Sequence, residues 1–201
     1  MIYLLIAFSY VLGSIPFGLL FSKWSGLGDI RSIGSGNIGA TNVLRTGNKK
    51  IALATLVCDA LKGVIPVLIL HHYYVAELIS NWVHVSVALA VVLGHVFPVW
   101  LRFKGGKGVA TALGVYCVLN PWLGLITLII WLVMAKIFRI SSLSALIAST
   151  AAPLVAFCLS DGSITTLFYT TLCIAILILY THRENIKRLL AGNELKVELN
   201  V

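Results

Sequence analysis

The sequence predicts an all-α, polytopic integral membrane protein that forms a single membrane-embedded domain over residues 1–201. Hydrophobic residues make up 59% of the chain and charged residues 11%, whereas charged residues are about a quarter of a soluble domain. The spans are expected to be helices, because the hydrocarbon core of a bilayer accepts only helices or closed barrels. The length allows roughly six to eight spans of about 20 residues and excludes a separate soluble catalytic domain. Any chemistry must therefore lie on helix ends and short loops.

Seven apolar stretches, each bounded by charged or turn residues, are the predicted spans. The fourth, 108–119, has 12 residues, which at about 1.5 Å per residue reach only ~18 Å of a ~30 Å hydrocarbon core. Its length alone would indicate a re-entrant helix. Proline removes a helix donor, so Pro16, Pro66 and Pro98 predict kinks in the first three spans. The seven stretches are 2–22, 51–72, 82–101, 108–119, 121–138, 143–159 and 164–181, followed by a tail, 182–201.

The distribution of basic residues predicts that the fourth stretch does cross the membrane. If it crosses, every Lys and Arg except Lys62 falls on one side, in or next to the odd-numbered loops and the tail. The loops on the other side, around 73–81, 119–121 and 160–163, contain no basic residue. Because basic loops remain in the cytoplasm, we predict seven spans, with the amino terminus outside and the carboxyl terminus in the cytoplasm.

Lys62 lies three positions after Asp59 within the second span, so the two side chains share a helical face and are expected to form an ion pair. Charged residues inside a span are functional candidates by default. A pair that neutralises itself, or a neighbouring helix, and only positions the bundle is the simpler explanation. We assign Asp59 and Lys62 a structural role.

The remaining histidine and cysteine residues inside the spans are expected to pack. His95 lies a turn or more inside the third span and is expected to be a packed histidine rather than a catalytic one. The cysteines have no CxxC pair and no neighbouring histidine, so they are expected to be small core residues rather than metal ligands. They are Cys58, Cys117, Cys158 and Cys173.

The loop after the first span has the composition of an anion-binding site. Its segment 34–42 reads Gly-Ser-Gly-Asn-Ile-Gly-Ala-Thr-Asn and formally matches GxGxxG, but no strand precedes it, so a dinucleotide site is excluded. Glycines let backbone amides converge on an anion, and Thr41 or Asn42 is expected to cap the next helix. A flexible polar turn has the same composition and is the alternative. The other candidate anion-binding residues are Gly34, Ser35, Gly36, Asn37, Gly39 and Arg45.

The loop after the third span predicts a second anion site. Lys104 and Lys107 flank Gly105 and Gly106 directly before a helix, where free amides and the helix dipole favour an anion. The segment is not a Walker A loop, because Leu101 stands where that motif needs its first glycine. A plain juxtamembrane cluster of basic residues would explain the lysines but not the glycines.

Two further segments on the same side carry polar side chains. Ser141 and Ser142 stand where an N-cap for the sixth span belongs. In the tail, His182 and Asn185 share a helical face and are expected to project into a site; an interfacial amphipathic helix that contacts anionic lipid is the alternative. Together the four segments suit more than one phosphate group. Without an acidic cluster or a Cys/His set, no metal site is expected.

Three segments, taken in order, match the motifs of a known family. They are 34–42 with Arg45, 103–108 (Phe-Lys-Gly-Gly-Lys-Gly), and 182–185 (His-Arg-Glu-Asn) continuing to 192–194 (Gly-Asn-Glu). In these segments the chain resembles the bacterial acyl-phosphate-dependent glycerol-3-phosphate acyltransferases of the inner membrane, with no departure at the motif positions.

The resemblance implies an activity and its partners. A fatty acyl group would pass from acyl phosphate to glycerol 3-phosphate at the cytoplasmic face, giving lysophosphatidic acid and inorganic phosphate, the first acylation of phospholipid synthesis. The implied partners are these two substrates, the lipid bilayer and a soluble or peripheral enzyme that forms acyl phosphate. Neither a cofactor nor nucleic acid is implied.

The resemblance also guides the expected roles of individual residues. None of the five histidines has an Asp five positions after it, so the Asp–His base of other glycerophosphate acyltransferases is absent and direct attack of the glycerol hydroxyl is expected. The donor phosphate is assigned to Ser35 and the glycine-loop amides, and substrate phosphate charge to Arg45 and Lys104. Glycerol 3-phosphate is assigned to Ser142, His182 and Asn185. Glu194 is expected to organise the tail.

Two other classes of protein remain open at this point. A small anion carrier or a phosphate-lipid-binding protein would also use glycine loops and basic helix ends. Against a carrier, the chain shows no internal repeat and its anion-binding features share one membrane face. A structural membrane partner would leave the glycine loops unexplained.

Overall fold

The computed structural model describes residues 2–74 and 81–196, and the regular structure within these ranges is entirely helical, as predicted. Two short 3-10 turns, Ile30–Ser32 and Val99–Leu101, accompany the α-helices. The loop around Glu77 and the last residues of the tail lie outside the described residues. The α-helices are α1 (Ile2–Gly13), α2 (Phe17–Trp24), α3 (Ala40–Leu44), α4 (Lys49–Tyr74), α5 (Asn81–Val96), α6 (Val109–Leu119), α7 (Pro121–Phe138), α8 (Ser141–Leu159), α9 (Thr166–Thr181) and α10 (Arg183–Leu190).

Within the described ranges, four segments are long and apolar enough to cross a membrane: Lys49–His72, Trp82–Leu101, Pro121–Phe138 and Ser141–Leu159. Two bent helix pairs, α1 with α2 at 40° and α9 with α10 at 62°, bring this number to as many as six if each pair is counted as one span. The predicted fourth span, α6, has 11 residues and is shorter than a bilayer core. Its crossing, and with it the count of seven, stays a prediction.

The three prolines act differently on their helices. Pro16 separates α1 from α2, so the predicted first span is two helices with a break between them. Pro98 follows the end of α5 and precedes a short 3-10 turn. At Pro66, by contrast, α4 continues as a single helix. The break at Pro16 exposes backbone carbonyls that a continuous helix would have used.

Glycines allow the helices of the bundle to touch at their backbones. A Cβ on Gly13 would overlap the backbone of Val91, and Gly94 lies equally close to α1, so α1 and α5 pack without side chains between them. Gly63 and Gly114 do the same between α4 and α6. In lipid the hydrophobic effect does not drive helices together, so they associate through close packing at small residues of this kind.

The bundle buries a core of aliphatic side chains and presents equally apolar side chains outward. Val87, Val91 and Ile174 are fully buried, while Leu154 and Ile176 are 66% and 58% exposed. An apolar exterior of this kind is suited to lipid.

The prediction that the cysteines are core residues was wrong for three of the four. Cys58 is half-buried, whereas Cys117, Cys158 and Cys173 are exposed on the outside of the bundle. The reason is physical: both the core and the lipid-facing surface of a membrane bundle are apolar, so an apolar neighbourhood in sequence does not tell which way a side chain faces.

The predicted helix caps were also wrong. Thr41 and Asn42 lie inside α3, which has Gly39 at its N-cap. Ile140 is the N-cap of α8, and the Ser142 hydroxyl donates to the distant Glu194 carboxylate. These polar side chains make long-range contacts, which a local sequence pattern does not reveal.

Candidate active site

The first two predicted anion-binding loops and the beginning of α10 border a cleft of about 1070 Å³ at one end of the bundle. Basic and polar side chains lie on its walls together with aromatic rings. The polar lining includes Ser35, Asn37, Lys104, Lys107, Asn185 and Arg188, and the aromatic lining includes Phe97, Trp100, Phe103 and Tyr180.

Asn42 organises the glycine loop. Its Oδ1 accepts hydrogen bonds from the Ser35 amide (3.0 Å) and the Ser35 hydroxyl (3.2 Å). Its Nδ2 donates to the carbonyls of Ile30 (2.8 Å) and Ile33 (3.0 Å). Asn42 is 1% exposed, so a single buried amide holds the loop that carries Ser35. The sequence marked Asn42 as a candidate but assigned it the wrong task, that of a cap.

Arg45 lies behind this loop. Its Nη1 donates to Asn42 Oδ1 at 3.3 Å, and Gly34, at φ +54°, leaves no room for a Cβ beside the Arg45 side chain. Partial burial lowers the pKa of the guanidinium, and the charge of Glu194 opposes that shift. Because the ordinary pKa of arginine is far above neutrality, Arg45 stays charged. Gly36 is also left-handed, at φ +69°, so the backbone of the loop requires glycine at both positions.

The second loop is bonded to the end of α5. The Gly105 amide donates to the Val96 carbonyl and the Gly106 amide to the His95 carbonyl, both at 3.0 Å. Neither amide is free to bind an anion, so the predicted second anion site cannot use these two backbone amides. The two glycines are needed for another reason: a Cβ on Gly105 would overlap Pro98, and a Cβ on Gly106 would overlap the His95 imidazole.

The basic residues of this loop differ in their surroundings. Lys104 is exposed at the cleft. Lys107 is half-buried, and burial lowers its pKa to about 8 although the nearby Glu194 carboxylate opposes the shift. Before them, Arg102 and Phe103 adopt left-handed backbone at φ 52° and 62°, a conformation that costs energy in residues other than glycine and recurs at functional turns.

Glu194 accepts hydrogen bonds from polar side chains of α8 and α10. One carboxylate oxygen accepts from Ser142 Oγ (2.9 Å) and Asn185 Nδ2 (2.7 Å), and the other accepts from Arg188 Nε (2.8 Å). Its side chain is 4% exposed. Burial alone would raise the pKa of Glu194, but the hydrogen bonds from Asn185, Arg188 and Ser142 outweigh burial and lower it. Glu194 therefore holds the tail, α10 and α8 together as an anion.

Arg188 was missed by the sequence reasoning. It follows Asn185 by three positions on α10, so the helical spacing that paired His182 with Asn185 would also have pointed to it. Asn185 connects this group to the second loop, because its Oδ1 accepts from Lys107 Nζ.

His182 is buried and neutral. It is 2% exposed, and its Nδ1 lies 2.8 Å from the Ile178 carbonyl. A carbonyl oxygen only accepts, so Nδ1 carries the proton and Nε2 is left as an acceptor. Burial, assisted by the charge of Lys107, lowers the pKa of His182 to about 4. The adjacent Thr181 hydroxyl donates to the Lys107 carbonyl at 3.2 Å and fixes α9 to the second loop.

The predicted ion pair inside the bundle is confirmed. Lys62 Nζ lies 2.8 Å from Asp59 Oδ1, and both side chains are almost completely buried. Lys62 also donates to the Ile15 carbonyl at 3.0 Å. His95 is packed as predicted, at 5% exposure. Among the residues that the structure describes, no group of three or more His, Cys, Asp and Glu side chains is arranged to hold a metal ion.

Known proteins resemble this chain over nearly its whole length. The glycerol-3-phosphate acyltransferase family model matches residues 3–192. A glycerol-3-phosphate acyltransferase of Mesorhizobium japonicum is 54% identical and covers 96% of this chain and 95% of the relative; that of Rhizobium meliloti is 50% identical and covers 96% and 90%.

Solved structures agree with the sequence relatives. The integral membrane glycerol 3-phosphate acyltransferase PlsY (YgiH), in its glycerol 3-phosphate form, has a TM-score of 0.87 to this chain at 43% identity and covers 97% of this chain and 94% of its own. Its lysophosphatidic acid form has a TM-score of 0.85 at 42% identity, with the same coverage. Since family model, relatives and structures coincide, this chain belongs to the glycerol-3-phosphate acyltransferase family and is an integral membrane acyltransferase.

Proposed function

We propose that the enzyme transfers a fatty acyl group from acyl phosphate to glycerol 3-phosphate, with lysophosphatidic acid and inorganic phosphate as products. The observation that carries this proposal is the cleft, where basic side chains and hydroxyl and amide donors face one another beside the aromatic rings of Phe97, Trp100, Phe103 and Tyr180. Such a cleft suits two phosphate groups and one fatty chain together. The solved PlsY was obtained in forms named for glycerol 3-phosphate and lysophosphatidic acid, which supports the same acceptor and product for this chain.

The proposed reaction is a direct displacement. The glycerol hydroxyl attacks the acyl carbonyl carbon and forms a C–O bond. The bond from that carbon to the phosphate oxygen breaks, and the departing phosphate keeps the electron pair and takes the hydroxyl proton. No covalent enzyme intermediate is needed. The protein then contributes position and charge stabilisation, which supply large rate enhancements without an acid–base pair.

The proposed residue roles use the lining of the cleft together with Arg45, His182 and Ser142, which do not line it and are packed around it. The Ser35 loop is assigned to the donor phosphate, and the charges of Arg45 and Lys104 to substrate phosphate. His182, neutral and with Nε2 as an acceptor, is suited to orient a glycerol hydroxyl rather than to supply charge. Asn185 and Ser142, which both donate to Glu194, are assigned to glycerol 3-phosphate.

We also propose the membrane arrangement that the charges favour. The chain would form one catalytic domain of seven spans in a bacterial inner membrane, with α6 as the short fourth span and the cleft on the cytoplasmic face. A soluble or peripheral enzyme that forms acyl phosphate would then supply the donor from the cytoplasm.

The test of the reaction is phosphate release. Purified protein receives palmitoyl phosphate and glycerol 3-phosphate without added metal, and palmitoyl-CoA serves as the comparison donor. We expect phosphate release that needs both substrates, equal formation of lysophosphatidic acid, and no product from palmitoyl-CoA. Absence of release from a folded, monodisperse preparation would refute the proposal.

A pair of lysine variants tests the assignment of the cleft. Lys104→Ala removes an exposed charge that lines the cleft, while Lys136→Ala removes an exposed lysine at the end of α7 that does not line it. We expect K104A to raise the KM for glycerol 3-phosphate or acyl phosphate by about tenfold or more, since a hydrogen bond to a charged group contributes about 1.5–3 kcal/mol, and K136A to stay within about twofold of wild type. Equal kinetics for the two variants would contradict the role of Lys104.

A further inference from the structure

A buried polar cluster lies directly behind the second loop of the cleft. We call Asp59, Lys62 and His95 the buried cluster; all three are at most 5% exposed. Asp59 Oδ1 lies 2.8 Å from Lys62 Nζ and 3.6 Å from His95 Nδ1. Asp59 is thus paired with Lys62 on α4, and its carboxylate lies beside His95 of α5 at a distance longer than a hydrogen bond.

Lys62 extends the buried cluster to the break in the first span. Its ammonium group donates to the Ile15 carbonyl at 3.0 Å and lies 5.7 Å from the centre of the Phe17 ring. Both partners flank Pro16, where the helix is interrupted. The break between α1 and α2 is thus attached to the centre of α4 by a charged hydrogen bond, which is stronger than a neutral one.

His95 extends the buried cluster to the active-site loop. The Gly106 backbone lies so close to the imidazole that a Cβ there would overlap Nε2, Cε1 and Cδ2 of the ring. The Gly106 amide in turn donates to the His95 carbonyl. Lys107 follows immediately, and Lys104 stands two positions earlier. The position of the His95 imidazole therefore determines where the loop backbone at Gly106 lies.

Charge neutralisation alone does not explain this arrangement. Asp59 and Lys62 would neutralise each other without His95, and a buried ion pair contributes little net stability compared with apolar residues of the same size. The carboxylate instead faces the ring nitrogen opposite the edge that touches Gly106. At 3.6 Å the carboxylate acts on the ring through its charge rather than through a hydrogen bond, and it favours the orientation that presents Nδ1–H to it.

We propose that Asp59, Lys62 and His95 are positioning residues for the active-site loop: Asp59, held by Lys62, orients the His95 imidazole, and the imidazole supports Gly106 and so places Lys104 and Lys107 at the cleft. The effect on catalysis rests on the proposed function, since it assumes that these lysines bind substrate phosphate. The effect on the loop itself does not.

The test combines kinetics with hydrogen exchange of the loop. His95→Ala removes the support under Gly106, and His95→Asn keeps a donor toward Asp59 but removes the edge that touches Gly106. The matched control is Thr127→Val, a buried polar residue of α7 whose hydroxyl has no hydrogen-bond partner within the described part of the chain. Exchange is followed by mass spectrometry in a peptide covering 102–108, with a peptide from α8 as the internal reference.

We expect faster exchange of the 102–108 amides in both His95 variants, at least tenfold, with α8 unchanged. The kcat/KM for glycerol 3-phosphate is expected to fall at least tenfold, because misplacing a binding group by about 1 Å can cost a hundredfold. T127V is expected to match wild type in both measurements. If H95A does not fold, H95N provides the same test.

The outcomes separate the two proposals. Wild-type exchange of the loop in a folded His95 variant would overturn the positioning role, whatever the activity. Exchange that rises equally in α8 and in the loop would show a merely structural role and would also overturn it. A wild-type enzyme without turnover would refute the proposed function, while the exchange measurement would still decide the role of the buried cluster.

Discussion

Replacement of Glu194 by Gln is the perturbation that most directly tests how the cleft is assembled. The carboxylate accepts three hydrogen bonds, from Ser142, Asn185 and Arg188. An amide has one oxygen and one NH₂ group, so whichever way Gln is oriented its NH₂ group faces a donor and at least one bond is lost. A hydrogen bond to a charged group contributes about 1.5–3 kcal/mol. Where all of this energy serves to hold Ser142 and Asn185 in the catalytic arrangement, kcat/KM falls by about 10- to 150-fold, at about 1.36 kcal/mol per factor of ten, and this range is the upper limit of the expected effect.

The same substitution has a predicted pH signature. Glu194 opposes the lowering of the Lys107 pKa, which lies at about 8. Without the carboxylate the pKa of Lys107 falls further, so the lysine loses its charge at a lower pH. If charged Lys107 is needed, the alkaline limb of the kcat/KM profile moves to lower pH in E194Q.

The assay is steady-state kinetics in detergent across pH 6 to about 9.5, a range that brackets that pKa. The matched control is Asp161→Asn, because Asp161 is exposed and follows the far end of α8, which lies about 25 Å along the helix from Ser142. D161N is expected to behave as wild type. An E194Q enzyme with wild-type kcat/KM and an unmoved alkaline limb would refute the reasoning.

Three further predictions concern the loops and the histidine. Asn42→Ala should lower both Tm and kcat/KM, since it removes the side-chain donor to the Ile30 and Ile33 carbonyls and the acceptor of the Ser35 amide; a thermal melt and an initial-rate assay check this, and an unchanged Tm would contradict it. Gly106→Ala should lose most activity because the methyl group overlaps the His95 ring. Initial rates of the double variant H95A/G106A should show partial recovery of activity relative to G106A, which would identify this overlap as the cause. Absence of recovery would contradict that explanation. His182, with a pKa of about 4, is neutral above about pH 5. We therefore expect His182 to cause no loss of kcat/KM near pH 6, so that the pH profiles of wild type and His182→Gln have the same shape there. A loss in wild type that disappears in His182→Gln would show that the histidine titrates there.

The helices could be predicted well from the sequence because their causes are local. The apolar stretch 121–138 coincides with α7, and 51–72 differs from α4 by two residues at each end. The break at Pro16 was also expected from the missing amide, whereas α4 continues through Pro66, so a proline alone does not tell whether its helix is interrupted.

The contacts that build the site were harder to predict because they join distant positions. Asn42 and Ser142 were recognised as polar residues of interest, but local capping rules assigned them to their own helices, whereas their partners lie in other segments. Gly106 was read as a source of free amides, while the structure uses it as a place without a side chain, against His95. Which surfaces meet is a property of the folded bundle, not of either segment alone.

The spacing of Asp59 and Lys62 also bears on how the chain enters the bilayer during synthesis. Each charge at the centre of an inserting helix costs about 2.5–3.5 kcal/mol. Because the two charges lie one turn apart on the same helix, they neutralise each other before α5 and its His95 have been made. The segment can therefore leave the translocation channel with the two charges at its centre already compensated. If the acid and the base were on different helices, the first of them to insert would remain an unpaired charge in the bilayer until the second helix inserted.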